Sequence, residues 1–469
     1  MSQPPPSIPR DRNDDHSAEQ AARRRDFLTA QTGAALPHLG GAAIDPALTR
    51  GNIENLTGFA RVPLGFAGPL HVRGEHADGH FYVPLATTEG TLVASYNRGM
   101  KLLNASGGVL CTVSGDSMQR APVFEFDNAR LARDFADWIP AQMESLRREA
   151  EATTRHGRLV SVECFPTNNT CFVRFAFSTG DAAGQNMVTR ATEAACHWIT
   201  SAFTGVRHFF LEANMATDKK ASMINTLRGR GKRVTAEATI PRALMVDHVR
   251  VTPEQIAHHN RVGNLGTLLS GAVNNGLHSA NAIAAIFIAT GQDAANVAES
   301  STAMLHCEIT KEHDLYLSIT IPSLIVATHG GGTGLPTQRE CLEVLGCAGA
   351  GKARKLAEIV AATVLAGELS LVCAISSMDW VDSHEQMGRN PLRAVEEWLF
   401  RFFGRLAGAS ASIPVVGRTQ RRASHDARRN PFGRTTARAP ASSAPTITGT
   451  RGFSGRRRTI HHGSSCSRR

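Results

Sequence analysis

Four places along the chain carry side chains suited to moving protons and to stabilising developing negative charge. Glu89 lies between Ala86 and Gly90 at the expected start of a helix, with Thr88 as its N-cap. The run Thr217, Asp218, Lys219, Lys220 sets two ammonium groups side by side. Mutual repulsion and burial would push one of them toward a lower pKa, as an acid or an oxyanion partner requires. Asp293 follows the apolar helical run Ile283, Ala284, Ile286, Phe287, at a helix C-terminus where the dipole disfavours a carboxylate. His384 is a lone histidine on an expected late helix. Taken singly, each is equally well read as an ordinary structural residue.

Phosphate-binding signatures point away from the common nucleotide folds. Gly346 to Lys352 has P-loop spacing, but Ala353 stands where a Mg²⁺-binding Ser or Thr is needed and no strand leads into it. No G-x-G-x-x-G follows a strand and opens a helix, so a classical Rossmann site is excluded. Two segments could instead let a nicotinamide cofactor approach the backbone. Gly180 to Met187 reads as a helix start with Asp181 and small residues in the first turn, and His329 to Gly334 is a glycine-rich turn after a strand.

These groups have to be positioned by a mixed α+β scaffold. Leu92, Val93, Tyr96 and Met100 recur at helical spacing, and Ala182 to Ser201 and Ala353 to Ser377 read as long helices. Cys171, Val173, Phe175, Phe177 alternate with their neighbours as a strand does; so do Val234 to Ile240 and Leu315 to Ile321. Residues 1–20 are Pro-rich and polar, and residues 404–469 lack apolar periodicity, so both are expected to be disordered. The 469-residue chain carries +10, but from Arg401 onward there are 15 Arg against one Asp, a local +14 that leaves residues 1–400 at −4. The body is mildly acidic, and no specific nucleic-acid partner is expected. Nine cysteines without a C-x-x-C pair suit a reducing cytoplasm, and no metal site is expected. The apolar stretch Ile359 to Met378 is interrupted by Glu368, which argues for a buried helix and against a membrane span.

In combination the motifs are far more specific. Glu54-Asn55, Val62 to Gly65, Ala67 to Leu70, Pro84 to Arg98, Asp181 to Met187, Thr217 to Lys220 with Ile224-Asn225, Gly229 to Lys232, Gly291 to Ala294 and Gly330 to Thr333 occur in one order. Across roughly residues 20–392 they closely resemble 3-hydroxy-3-methylglutaryl-coenzyme A (HMG-CoA) reductase. The Asp-Lys-Lys run and the D-A-x-G-x-N pattern look like class I, the biosynthetic NADPH-using form, here as a soluble protein.

The resemblance implies a four-electron reduction of HMG-CoA to mevalonate and CoA by two NADPH, the committed step of the mevalonate pathway. It implies Lys219 as oxyanion stabiliser, His384 as acid for the departing thiolate, Glu89 as acid for the aldehyde oxygen, and Asp293 bridging Lys219 and Glu89. Glu89 would then have to be desolvated to donate a proton near neutral pH. Ser95, Arg120, Lys220, Asn225, Arg261, His278 and Asn281 become substrate contacts, with Arg261 where many relatives have Lys. Asp181, Gly184, Asn186, Met187, Gly331, Gly332 and Thr333 become the NADPH cleft. The implied fold is a large domain (21–121 and 211–403) around a long central helix, with a small ferredoxin-like NADPH domain inserted at 122–210. Active sites between subunits imply a homodimer or a higher oligomer.

Overall fold

Alternating apolar residues in two of the expected strands need one continuous apolar surface to cover them. In the computed structural model, which describes residues 5–11 and 17–377, that surface is a single 24-residue helix. The elements in chain order begin with α1 (Ala18–Thr32), β1 (Leu64–Gly74), β2 (Asp78–Ala86), α2 (Leu92–Ala105) and β3 (Val109–Arg120). Next come β4 (Val123–Glu125), α3 (Ala129–Trp138), α4 (Met143–Glu151), β5 (Arg158–Thr167), β6 (Thr170–Ser178), α5 (Gln185–Ala202) and β7 (His208–Phe210). The chain then continues through α6 (Met223–Arg228), β8 (Gly231–Ile240), α7 (Arg242–Val249), α8 (Pro253–Ser270), α9 (Ser279–Thr290) and α10 (Val297–Ser300). It closes with β9 (Met304–Ile309), β10 (Leu315–Leu324), α11 (Pro336–Val344) and α12 (Ala353–Ser376).

The strands form one ten-stranded mixed sheet in the order β7-β4-β6-β3-β8-β10-β9, with β5 on β6 and the β1–β2 hairpin joined to β3. Strand β3 serves both halves: Leu110 to Ser117 pair with β8, and Met118 to Arg120 pair with β6. Two apolar cores result. The larger surrounds α12; the smaller, including Phe124, Phe126, Phe135, Phe175 and Phe177, is drawn from Met118 to Ile199 plus Ile325. In β8, Val234, Ala236, Ala238 and Ile240 are all buried, the face that period-two spacing predicts.

Helix α12 organises the larger half. Its mean hydropathy of 2.0 and its length would suit a membrane span, yet 83% of that apolar window is buried in the fold. Its two buried carboxylates receive backbone donors from loops. Glu358 accepts the N–H groups of Glu75, His76 and Ala77 in the β1–β2 turn, and Glu368 accepts those of Leu277 and His278 ahead of α9. Burial pushes the Glu368 pKa up, against the pull of those N–H groups.

Two expectations change. Residues 5–11 are not loose: Tyr82 donates its hydroxyl to the Pro6 carbonyl at 2.8 Å, Arg24 donates to Pro9, and Ile8 packs against the cluster of Leu28 and Leu36. An apolar Ile within a Pro-rich arm has a groove to fill. Thr88 does not cap α2; Thr91 occupies the cap position at φ +68°, so Glu89 lies in the turn before the helix rather than within its first turn. His384 and the expected tail at 404–469 lie outside the described residues.

Candidate active site

The Lys219 loop is built by its own side chains. Asn225, fully buried at the start of α6, donates its amide to the Thr217 and Lys220 carbonyls and accepts the Thr217 hydroxyl. That closes a tight loop with Thr217 and Lys219 both left-handed, at φ +55° and +56°. The Lys219 ammonium leaves this loop to meet Asp293 Oδ2 at 3.0 Å. Lys220 donates to the Asp218 carbonyl. Arg120, largely buried, pairs with Glu212 Oε2 at 2.9 Å and lies 3.8 Å from Asp218. Glu212 stands in no motif, and only its pairing with Arg120, 92 positions earlier in the chain, marks it.

Asp293 resolves its own oddity. Helix α9 ends at Thr290 with left-handed Gly291 as its C-cap, and Asp293 caps the N-terminus of the following 3₁₀ turn by accepting the Ala295 N–H at 3.0 Å. One carboxylate oxygen holds the backbone and the other faces Lys219. The bridge to Glu89 is not made among the described residues. Asn281 instead donates to both Glu89 oxygens, at 3.3 and 3.1 Å. Asn281 sits in the first turn of α9 and Asp293 just beyond its last, so the two pairs attach to opposite ends of one helix.

Around the N-terminus of α9 a second polar group assembles. Ser95 Oγ lies 3.3 Å from His278 Nε2 and 3.0 Å from Ser370 Oγ, and the His278 ring stacks on Tyr96 at 4.8 Å. Arg98 donates to Ser370 as well. Glu89 itself is exposed. Arg261 is apart from all of these: on the exposed side of α8, its guanidinium bonds His258 at 2.7 Å.

The expected cofactor segments meet the Asp293 loop. Gly291 and Gly332 pack backbone to backbone, and a Cβ on either would collide with the other's main chain, so both positions require glycine. Gln185 donates to Asn296 Oδ1 at 3.0 Å, tying the start of α5 to the same turn. Asp181 departs from its expected place. Helix α5 starts at Gln185 with Gly184 as cap, and the Asp181 carboxylate caps α12 instead, accepting the N–H groups of Gly351, Lys352 and Ala353. Burial pushes the Asp181 pKa up, but those donors and Lys232 outweigh it and hold the carboxyl below its ordinary value. The N-terminus that resembled a P-loop thus already holds an anion. Thr333 donates its hydroxyl to the Gly330 carbonyl, and Met187 packs against Gly157. Asn186 and Gly331 remain exposed, with open space beside Gly330 and Gly331.

An ammonium, its carboxylate partner and a close glycine–glycine contact thus stand together beyond the end of α9. Residues 20–389 fit the family model for hydroxymethylglutaryl-coenzyme A reductase. The chain belongs to that family. Over 374 residues it is 46% identical to the HMG-CoA reductase of Pyrococcus abyssi, covering 78% of this chain and 92% of that one. Over 375 residues it is 44% identical to the enzyme of Methanothermobacter thermautotrophicus, covering 79% and 94%. Its fold is similar to the class II HMG-CoA reductase of Streptococcus pneumoniae solved with NADPH, at a TM-score of 0.62 and 22% identity over 76% of this chain and 86% of that one. Three features of this reductase family member were not legible beforehand: the Arg120–Glu212 pair, the Asn281–Glu89 pair and the cap that Asp181 gives α12.

Proposed function

We propose that this chain reduces HMG-CoA to mevalonate and CoA with NADPH, by the residue roles that the family motifs imply. The observation that carries the reading is the 3.0 Å ion pair between Lys219 and Asp293, on a loop held in a left-handed turn. An ammonium fixed by one carboxylate oxygen is a preorganised donor for a thioester oxyanion. Asp293 keeps it aimed. Glu89, oriented by Asn281, supplies a proton to the aldehyde oxygen, and because its side chain is exposed, bound substrate or a partner subunit has to supply the desolvation. Arg120 and Lys220 hold the substrate carboxylate, with Ser95 and His278 near it. Asn225 acts through the loop it closes. His384, outside the described residues, protonates the departing thiolate.

The residues present fit NADPH: open space beside Gly330 and Gly331, exposed Asn186, and backbone where glycine allows close approach. When bound, NADPH supplies hydride. Gly184, Asn186, Met187, Gly331, Gly332 and Thr333 would hold it, with Asp181 fixing the loop they stand on. We read residues 122–210 as the NADPH-binding insertion and 21–121 with 211–403 as the large domain. The class I reading rests on the Asp-Lys-Lys run and the D-A-x-G-x-N pattern; likeness to a class II structure at 22% identity is one of fold alone. We also read the protein as a cytoplasmic homodimer or higher oligomer. Eight described cysteines, all free thiols, and the exposed leucines of α8 support that reading.

The test is loss of nicotinamide absorbance on adding HMG-CoA, with coenzyme A counted as free thiol. About two NADPH oxidised per CoA released is the stoichiometry that two hydride transfers demand. No oxidation with either NADPH or NADH would refute the reading.

A further inference from the structure

Arg230 is the largest fully buried side chain in the described fold, and no motif reasoning gave it or Glu299 a part. Its guanidinium reaches Glu299 Oε1 at 2.8 Å through one nitrogen and Asp218 Oδ1 at 2.8 Å through another. Glu299, itself completely buried in α10, accepts the backbone N–H of Lys219 on that same Oε1, at 3.1 Å. Burial pushes the Glu299 pKa up and that of Arg230 down, and each group's charge, with Asp218 beside Arg230, opposes the other's shift. Such a pair is a weak source of net stability, but removing one partner leaves the other's buried charge uncompensated. Here both carboxylates held by Arg230 grip the chain at Lys219: Asp218 precedes it in sequence and Glu299 holds its amide. Lys219 and Thr217 carry left-handed backbone that a non-glycine residue keeps only where its surroundings over-determine it.

We propose that Glu299, clamped by Arg230, is a positioning residue that fixes the Lys219 backbone so that its ammonium stays on Asp293. The functional part of this inference rests on the role given to Lys219 above. Glu299 Oε2 has no hydrogen-bond partner among the described residues. The amide nitrogen of a glutamine can occupy that place while its oxygen still accepts the Lys219 N–H. The clamp therefore predicts opposite results from two substitutions at one site.

The experiment compares Glu299→Gln and Glu299→Leu in the full-length protein by two readouts. The first is the rate at which acetic anhydride acetylates Lys219, followed by peptide mass spectrometry. Release from Asp293 raises this rate several-fold in Glu299→Leu and leaves it within about twofold of wild type in Glu299→Gln. The second is turnover. Glu299→Leu loses about tenfold or more in kcat for HMG-CoA, while its KM and its NADPH affinity stay within about threefold, because only transition-state stabilisation is lost. Glu299→Gln recovers most of that loss. Unchanged labelling in Glu299→Leu, or equal effects of the two substitutions, overturns the proposal. If the leucine variant is insoluble, Arg230→Lys takes its place, since a lysine lacks the planar fork whose two nitrogens reach the two carboxylates. The labelling result stands whether or not wild type reduces HMG-CoA, so failure of the enzymatic reading and failure of the clamp remain distinguishable.

Discussion

The Asp181 carboxylate accepts the backbone N–H of Gly351 at 2.6 Å, joining a loop of the smaller half to the first turn of the helix at the centre of the larger one. Its own carbonyl accepts the Thr328 and His329 N–H groups, so the loop, the glycine turn and α12 share one residue as their joint. An ionised carboxylate at the N-terminus of a 24-residue helix meets both the unpaired donors and the favourable end of the dipole.

Replacing Asp181 by Ala should therefore lower stability by about 1 kcal/mol, as loss of an N-cap does. The pH dependence has a definite sign. The folded-state pKa is depressed, so the stabilisation is fully present above the unfolded value of about 3.9 and fades as pH falls through the lower folded value. Urea unfolding of both proteins should show a gap that is constant from neutral pH to about pH 5 and narrows only in stronger acid. A gap that closed near neutrality would contradict the capping role.

Lys219 and Asp293 form a second testable pair. Lys219→Ala should reduce kcat for HMG-CoA by about 10²–10³, the usual effect of losing one oxyanion donor. Asp293→Asn keeps the cap on the Ala295 N–H but removes the charge facing Lys219. It should leave the melting temperature nearly unchanged while lowering kcat. A double substitution no worse than Lys219→Ala alone would show that the two act as one unit.

How far the sequence reached depends on range. Strand β8 and helix α12 were legible because period-two and helical apolar spacing are local properties, and Val234 to Ile240 and Ile359 to Val372 carry them without help. The Lys219–Asp293 pair was also reachable, through family motifs. Asp181 was misplaced because its nearest helix start in sequence is Gln185, whereas the one it caps lies about 170 residues away. Asp293 looked wrong for a helix C-terminus because a short 3₁₀ turn begins immediately after it. Glu299 carried no signal, and Arg230 stood within the Gly229 to Lys232 motif with no role attached: a buried ion pair is defined by what surrounds it, and neither residue type announces burial.

Asn281 gives a way to separate the two ends of α9. Glu89→Gln should abolish reduction of added mevaldehyde, because an amide cannot serve as the acid. Asn281→Ala leaves the carboxyl in place and removes its orienting donor, so it should cost less, on the order of tenfold. Neither change should alter labelling of Lys219, which is held from the other end of the helix. Equal losses from both substitutions would mean that Asn281 touches the substrate itself.

The outer face of α8 carries the last prediction. Leu268 and Leu269 are 79% and 89% exposed, and Leu265 and Val262 extend the same surface about one and two turns back. Arg261 lies beside them, bonded here to His258. Exposed leucines in such a stripe are costly in a monomer, and a second copy covering them would also bring Arg261 toward a partner's site. If α8 forms the interface of the proposed dimer, Leu268→Glu combined with Leu269→Glu should give a monomer in sedimentation velocity and abolish turnover, with the two cores and the Lys219–Asp293 pair intact by circular dichroism and labelling. A fully active monomer, or a dimer unaffected by the two charges, would remove α8 from the interface and leave Arg261 without a role in substrate binding.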